Sequence, residues 1–147
     1  MIKQFNNFLT KNQCENFLQN FKKNYLYFNI YNNTIIYIIK ENFEERTFIH
    51  NFIEKMDLIL NYDQIVMWPN NSEMMMHYDG SVNKDNEYTA ICYLNNNYIG
   101  GRTIVENKFL NNNLGDLVVF KSNELLHGVE QVIGTRLVYI SWWKSKI

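Results

Sequence analysis

His77-Tyr78-Asp79 places an imidazole and a carboxylate two residues apart. In an extended strand, residues two apart project from the same face, so both groups can reach one point. One more imidazole would complete a two-histidine, one-carboxylate facial triad, a set that suits Fe(II) and leaves open coordination positions. His127, in Leu125-Leu126-His127-Gly128-Val129, is the candidate third ligand. Nine residues later, Arg136 opens a run in which Arg136, Val138, Ile140 and Trp142 share one strand face. If that face lines an apolar interior, the guanidinium needs an anionic partner. A ligand carboxylate held bidentately meets that need economically. Taken singly, each residue has a blander reading. An isolated His-x-Asp is usually a polar strand end, a free His127 a loop residue, and Arg136 a surface charge.

Strands and helices must bring these residues together. Thr10 followed by Gln13 fits a capping box, with Leu9 and Cys14 at the staple positions. Cys14, Phe17, Leu18 and Phe21 then form one apolar helical stripe. Residues 25–40 read as two strands around the turn Tyr31-Asn32-Asn33. Helical spacing returns over 44–60 through Phe48, Ile49, Phe52, Ile53, Met56 and Leu60, with Glu44 and Glu45 favouring the helix start. From Asp63 the period changes to two, predicting strands over 64–68, 74–78, 87–94, 103–106, 117–120 and 136–143. Short strands separated by Pro69-Asn70-Asn71, Gly100-Gly101 and Gly134-Thr135 imply a sandwich or barrel. The expectation is one domain over 1–147, mainly β with packed N-terminal helices (α+β). Helical support would span about 1–62 and a β-core about 63–147.

Composition narrows the function classes. With 14 Lys+Arg against 15 Asp+Glu, the net charge of −1 argues against nucleic acid as a general partner. No apolar run approaches the ~20 residues of a membrane helix, and the start shows no signal-peptide pattern. Two cysteines make no disulfide framework. These features predict an intracellular, cytoplasmic protein. No Walker or dinucleotide glycine pattern occurs, and Ser81 and Ser122 lack a nucleophile-elbow context. The 24 asparagines, with runs at 95–97 and 111–113, read as loop filler.

The sequence resembles the Fe(II)- and 2-oxoglutarate-dependent dioxygenases, specifically the prolyl 4-hydroxylase-like branch. The resemblance spans roughly 64–143. It rests on His77-x-Asp79, Tyr88-Thr-Ala-Ile-Cys-Tyr93-Leu-Asn95, Gly100-Gly101-Arg102-Thr103, Gly115-Asp-Leu-Val-Val-Phe120, His127-Gly-Val129, Gly134-Thr-Arg136 and Trp142. It implies a double-stranded β-helix (jelly roll, cupin-like) with iron on His77, Asp79 and His127. It further implies that Arg136 binds the distal carboxylate of 2-oxoglutarate and that Tyr93 donates its hydroxyl to the same carboxylate. Strand parity agrees, since Thr89, Ile91 and Tyr93 share a face.

The implied reaction consumes 2-oxoglutarate and O₂, releases succinate and CO₂, and hydroxylates an unactivated C–H bond, with ascorbate as reductant. Asp79 favours hydroxylation, because related halogenases carry a small residue there. The base nine residues after the second histidine matches the regulatory prolyl hydroxylases, whereas the collagen type uses Lys at ten. A prolyl residue in a peptide or protein is the first substrate reading. A free amino acid and a non-catalytic binding module are the alternatives. The loop 80–86 and the segment 25–40 are the expected channel walls. Met75 shares the His77 parity and Trp142 the Arg136 face, so both are candidate substrate contacts; Met74 and Met76 should point away. His50 reads as structural, and Trp68 and Trp143 as core or rim.

Overall fold

The computed structural model describes residues 1–31, 33–81 and 83–146. Asn32 of the expected turn, Val82 of the expected loop wall, and the side chains of Tyr27 and Phe28 lie outside what is described. The chain runs β1 (Ile2–Phe5), α1 (Lys11–Asn24), β2 (Tyr25–Tyr31), β3 (Thr34–Ile39), α2 (Glu44–Glu54) and β4 (Leu58–Trp68). It continues with β5 (Met74–His77), β6 (Tyr88–Tyr93), β7 (Tyr98–Gly100), β8 (Thr103–Val105) and β9 (Lys108–Phe109). The last strands are β10 (Leu117–Phe120), β11 (His127–Val129), β12 (Val132–Gly134) and β13 (Arg136–Ser145).

The capping box forms as expected: Thr10 Oγ1 accepts from the Gln13 amide at 3.1 Å, and Gln13 Oε1 accepts from the Thr10 amide at 2.8 Å. The second helix is shorter than its spacing predicts. It ends at Glu54, Asp57 takes a left-handed φ of 60°, and the chain re-enters a strand at Leu58. Met56 and Leu60 therefore belong to no helix; Leu60 lies opposite Trp143 on β13. Its position four residues past Met56 mimics a helical stripe because both pack on the same core.

Seven strands, in the order β1-β10-β6-β13-β4-β3-β2, form one antiparallel sheet, and β5-β11-β8-β9 form a second. The first half is thus more than helical support, since β1, β3 and β2 extend the large sheet. The strands β1, β7, β9, β11 and β12, of two to four residues, are additional to those read from alternation.

The large sheet is buried on both faces, so strands such as Leu117-Val118-Val119-Phe120 are apolar throughout. One face carries Ile65, Ala90, Cys92, Leu117, Val119, Tyr139 and Trp143 against Leu9, Phe17, Phe21, Ile49 and Ile53 of the helical layer. The opposite face carries Val66, Trp68, Ile91, Tyr93, Val118, Phe120 and Val138 toward Val105 and Val129 of the small sheet. The candidate residues lie within this second, inter-sheet layer. Among the described residues, no helix is long and apolar enough to cross a membrane.

His50 belongs to the helical side. Arg46 Nε and Nη2 donate to the two Asp63 oxygens at 2.6 and 2.7 Å, and Tyr139 donates to Asp63 Oδ2. With the Tyr139 proton committed to the carboxylate, His50 Nε2–H donates to the Tyr139 oxygen at 2.5 Å. Burial alone would raise the Asp63 pKa, but the His50 ring 3.4 Å away and the bonds from Arg46 and Tyr139 hold it well below the usual carboxylate range. A depressed carboxylate contributes stability above its unfolded pKa and loses it as pH falls through the folded value. Asp63→Asn should therefore cost on the order of 3 kcal/mol at neutral pH. In urea denaturation, the gap from wild type should narrow as pH drops below about 4. A gap independent of pH would show that the carboxylate charge contributes nothing.

Candidate metal centre and acid pocket

His77 closes β5 and His127 opens β11, and the two are directly paired across the ladder. Their rings lie 4.4 Å apart between centroids. Each Nδ1 sits 2.8 Å from a main-chain carbonyl two residues back, Met75 O for His77 and Leu125 O for His127. A carbonyl can only accept, so Nδ1 carries the proton and each neutral ring presents an Nε2 lone pair. Both Nε2 atoms lie 3.3 Å from Asp79 Oδ1. The three residues offer ligand atoms within 4.8 Å of one another, so the structure brings together the three residues read as ligands.

Electrostatics reflect this convergence. Burial on its own would raise the Asp79 pKa, but the His127 and His77 imidazoles against Oδ1, which bind the carboxylate when protonated, and the Thr89 hydroxyl hold it well below the usual range. The Asp79 bond raises the His77 pKa, against a smaller lowering by burial. Asp79 is thus an ionised carboxylate over the whole physiological range. The second histidine approaches closely because residue 128 is glycine: a Cβ there would meet Met74 O of β5 at 2.7 Å.

The triad lies in a cleft of about 840 Å³ whose lining also includes Arg136, Val138, Ile140 and Trp142, the face read from alternation. Arg136 is 1% exposed. Its Nη2 donates to Thr103 Oγ1 at 3.2 Å, and its guanidinium lies 5.0 Å from the Trp68 ring and 5.6 Å from Tyr93. Among the described residues it makes no ion pair, and its Nε is buried without a partner. A buried cation with an orphan N–H at the wall of a cleft fits an incoming carboxylate. The glycine pair before Thr103 serves this site. Gly101 has φ +63°, and a Cβ there would press on Arg136 Cδ at 3.2 Å.

Tyr93 is fully buried and its hydroxyl bonds Thr103 Oγ1 at 2.6 Å. Thr103 borders the cleft and Tyr93 does not, so the phenol reaches the site through Thr103. Burial raises its pKa, which keeps it a neutral phenol.

Parity gave the cleft Met75 alone, whereas Met74, Met75 and Met76 all line it. The β5–β11 ladder pairs His77 with His127 but Met74 with Val129, so a bulge adds one residue on β5. Met74 consequently packs on the inter-sheet layer, while Met75 is 85% exposed at the cleft rim. Trp142 lines the cleft as expected, and its indole Nε1 donates to Asp79 Oδ2 at 3.1 Å. Trp68 and Trp143 are core. Thr89, Ser122 and Thr103 were given no role by sequence reasoning. Thr89 carried a usable signal, its shared face with Ile91 and Tyr93.

No family model matches the sequence, and no curated protein matches it. Solved structures do. The chain is similar over 98% of its length to the viral collagen prolyl hydroxylase of Paramecium Bursaria Chlorella virus-1, in a 2OG complex, with TM-score 0.79, 16% identity and 95% of that chain covered. A Pseudomonas putida prolyl-4-hydroxylase matches 98% of the chain and 92% of its own, with TM-score 0.77 and 17% identity. A Trichoplax adhaerens prolyl hydroxylase, in complex with a peptide fragment of the hypoxia inducible factor oxygen degradation domain, matches 99% and 84%, with TM-score 0.74 and 18% identity. The chain has their fold. It is the double-stranded β-helix of the 2OG-Fe(II) oxygenases, with the small sheet facing the large one across the cleft.

Proposed function

We propose that this protein is an Fe(II)- and 2-oxoglutarate-dependent dioxygenase that hydroxylates a prolyl residue in a peptide or protein. The observation that carries the reading is the pairing of two chemistries in one cleft. Two Nε2 lone pairs converge with Asp79 Oδ1, and a buried, unpaired guanidinium shares the same walls. When bound there, Fe(II) with 2-oxoglutarate and O₂ supplies oxidation of an unactivated C–H bond, releasing succinate and CO₂.

The chain's own residues perform the rest. His77, Asp79 and His127 hold the metal, and the two backbone carbonyls on Nδ1 keep both imidazoles in the ligating tautomer. Arg136 and Thr103 anchor the distal carboxylate of 2-oxoglutarate, with Tyr93 behind Thr103. Val66, Trp68, Ile91, Phe120 and Val138 keep water from the floor of the cleft. Low dielectric there strengthens the Arg136–carboxylate attraction.

The substrate reading draws on the cleft rim. Apart from the three ligands, Glu73 and Arg136 are the charged residues among the described lining, beside Asn33, Gln64, Ser81, Asn83, Asn86 and the methionines. Neutral amides and thioethers suit a peptide segment better than a phosphodiester, which calls for Lys and Arg. The peptide in the Trichoplax complex supports the same choice.

The test is succinate release from 2-oxoglutarate under air with Fe(II) and ascorbate, with and without a proline-rich peptide pool. Peptide-stimulated succinate with a product heavier by one oxygen is expected. Turnover stimulated only by free amino acids would move the substrate to a small molecule. No turnover with iron bound would favour a binding module.

A further inference from the structure

Asp79 is held more firmly than a ligand alone requires. Its two oxygens have separate environments: Oδ1 faces His77 and His127, while Oδ2 takes two protein donors, Thr89 Oγ1 at 2.8 Å and Trp142 Nε1 at 3.1 Å. Thr89 is 1% exposed and also lies 2.7 Å from Ser122 Oγ, itself fully buried. The Thr89 hydroxyl has a single proton, and a carboxylate can only accept. Thr89 must therefore donate to Asp79, and Ser122 must donate to Thr89. The Asp79 amide also donates to Ser122 O at 3.0 Å, so residue 122 fixes both the main chain and the hydroxyl polarity. On the other side, the Trp142 indole is stacked on Tyr62 at 4.5 Å and 24°, and Tyr62 accepts from Asn86 Nδ2 at 3.2 Å.

We propose that Thr89 and Trp142 are positioning residues that restrict Asp79 to one-oxygen ligation through Oδ1, a role that rests on the metal-centre reading above. A carboxylate oxygen has two in-plane lone pairs, and both of those on Oδ2 are occupied by donors. A metal could reach Oδ2 only by displacing one of them. The consequence is a coordination count. Two imidazoles and one carboxylate oxygen fill one face and leave three positions, whereas a chelating carboxylate would fill one of those three. A cosubstrate bound through two atoms, together with O₂, needs all three.

The experiment loads the apo-protein with Co(II) and reads affinity by calorimetry. The separation of the Asp79 carboxylate stretches is read by difference infrared on aspartate-labelled protein, since that separation narrows when a carboxylate chelates. Thr89→Val keeps the shape and removes the donor, Trp142→Phe keeps a ring on Tyr62, and Thr89→Ser restores the hydroxyl. Each of the first two is expected to weaken Co(II) binding roughly 10- to 100-fold. The double variant should show the narrowed separation, and Thr89→Ser should behave as wild type. A merely structural role would lower thermal midpoints without moving the carboxylate bands. Wild-type affinity and an unchanged separation in the double variant would overturn the proposal. Failure of the wild-type protein to take up Co(II) would instead overturn the metal centre itself, and the clamp with it.

Discussion

Replacing His127 by alanine is expected to bring 2-oxoglutarate turnover to background while the protein keeps its fold. His127 is one of three ligand-bearing residues, and its Nε2 lies 3.3 Å from Asp79 Oδ1. Loss of outer-shell partners typically costs about 10–100-fold in metal affinity or activity, and loss of a ligand must cost more. The imidazole contributes no hydrogen bond on which β11 depends, because the strand is held by main-chain pairing to β5 and β8. Circular dichroism and the thermal midpoint should change little, while Fe(II) or Co(II) uptake collapses. Asp79→Ala should behave alike in uptake. Removing its carboxylate also takes away the partner that raises the His77 pKa, so His77 would titrate closer to its ordinary value. Full turnover in the His127 variant would refute the ligand assignment.

Arg136→Met should move affinity and stability in opposite directions. The guanidinium is 1% exposed, has an unpartnered Nε and makes no ion pair among the described residues. In the empty protein it is a buried charge compensated by the Thr103 hydroxyl, the Tyr93 and Tyr98 phenols and the Trp68 ring, with no carboxylate partner among the described residues. A methionine of similar length removes that penalty and is expected to stabilise the apo-protein by roughly 1–3 kcal/mol. That corresponds to about 2–4 °C in thermal midpoint per kcal/mol. The same substitution removes the anchor for a ligand carboxylate, a loss of roughly 2–5 kcal/mol, or about 30- to 4,000-fold in 2-oxoglutarate affinity. Calorimetric titration of 2-oxoglutarate into the metal-loaded protein, beside a thermal melt of the empty one, measures both. A destabilised apo-protein with unchanged affinity would show that Arg136 is a structural cation.

The candidate site was legible in the sequence because its signals are local or strictly ordered. His77 and Asp79 are two residues apart, and alternation from Arg136 to Trp142 is backbone geometry, so their shared faces needed no tertiary information. The capping box at Thr10 is likewise contained within four residues. What sequence could not decide is anything set by register between distant segments. The bulge between β5 and β11 turns Met74 inward and leaves Met75 at the rim, and a bulge depends on both strands. Helix α2 stops at Glu54 because the sheet claims Leu58 onward, although the apolar spacing continues to Leu60. The Thr89–Ser122 bond joins residues 33 positions apart, and Trp142 reaches Asp79 across 63. A hydroxyl or an indole has no sequence signature for the partner it will meet. Residue types thus determined which reaction the chain could support, and strand register alone decided which side chains hold the carboxylate that supports it.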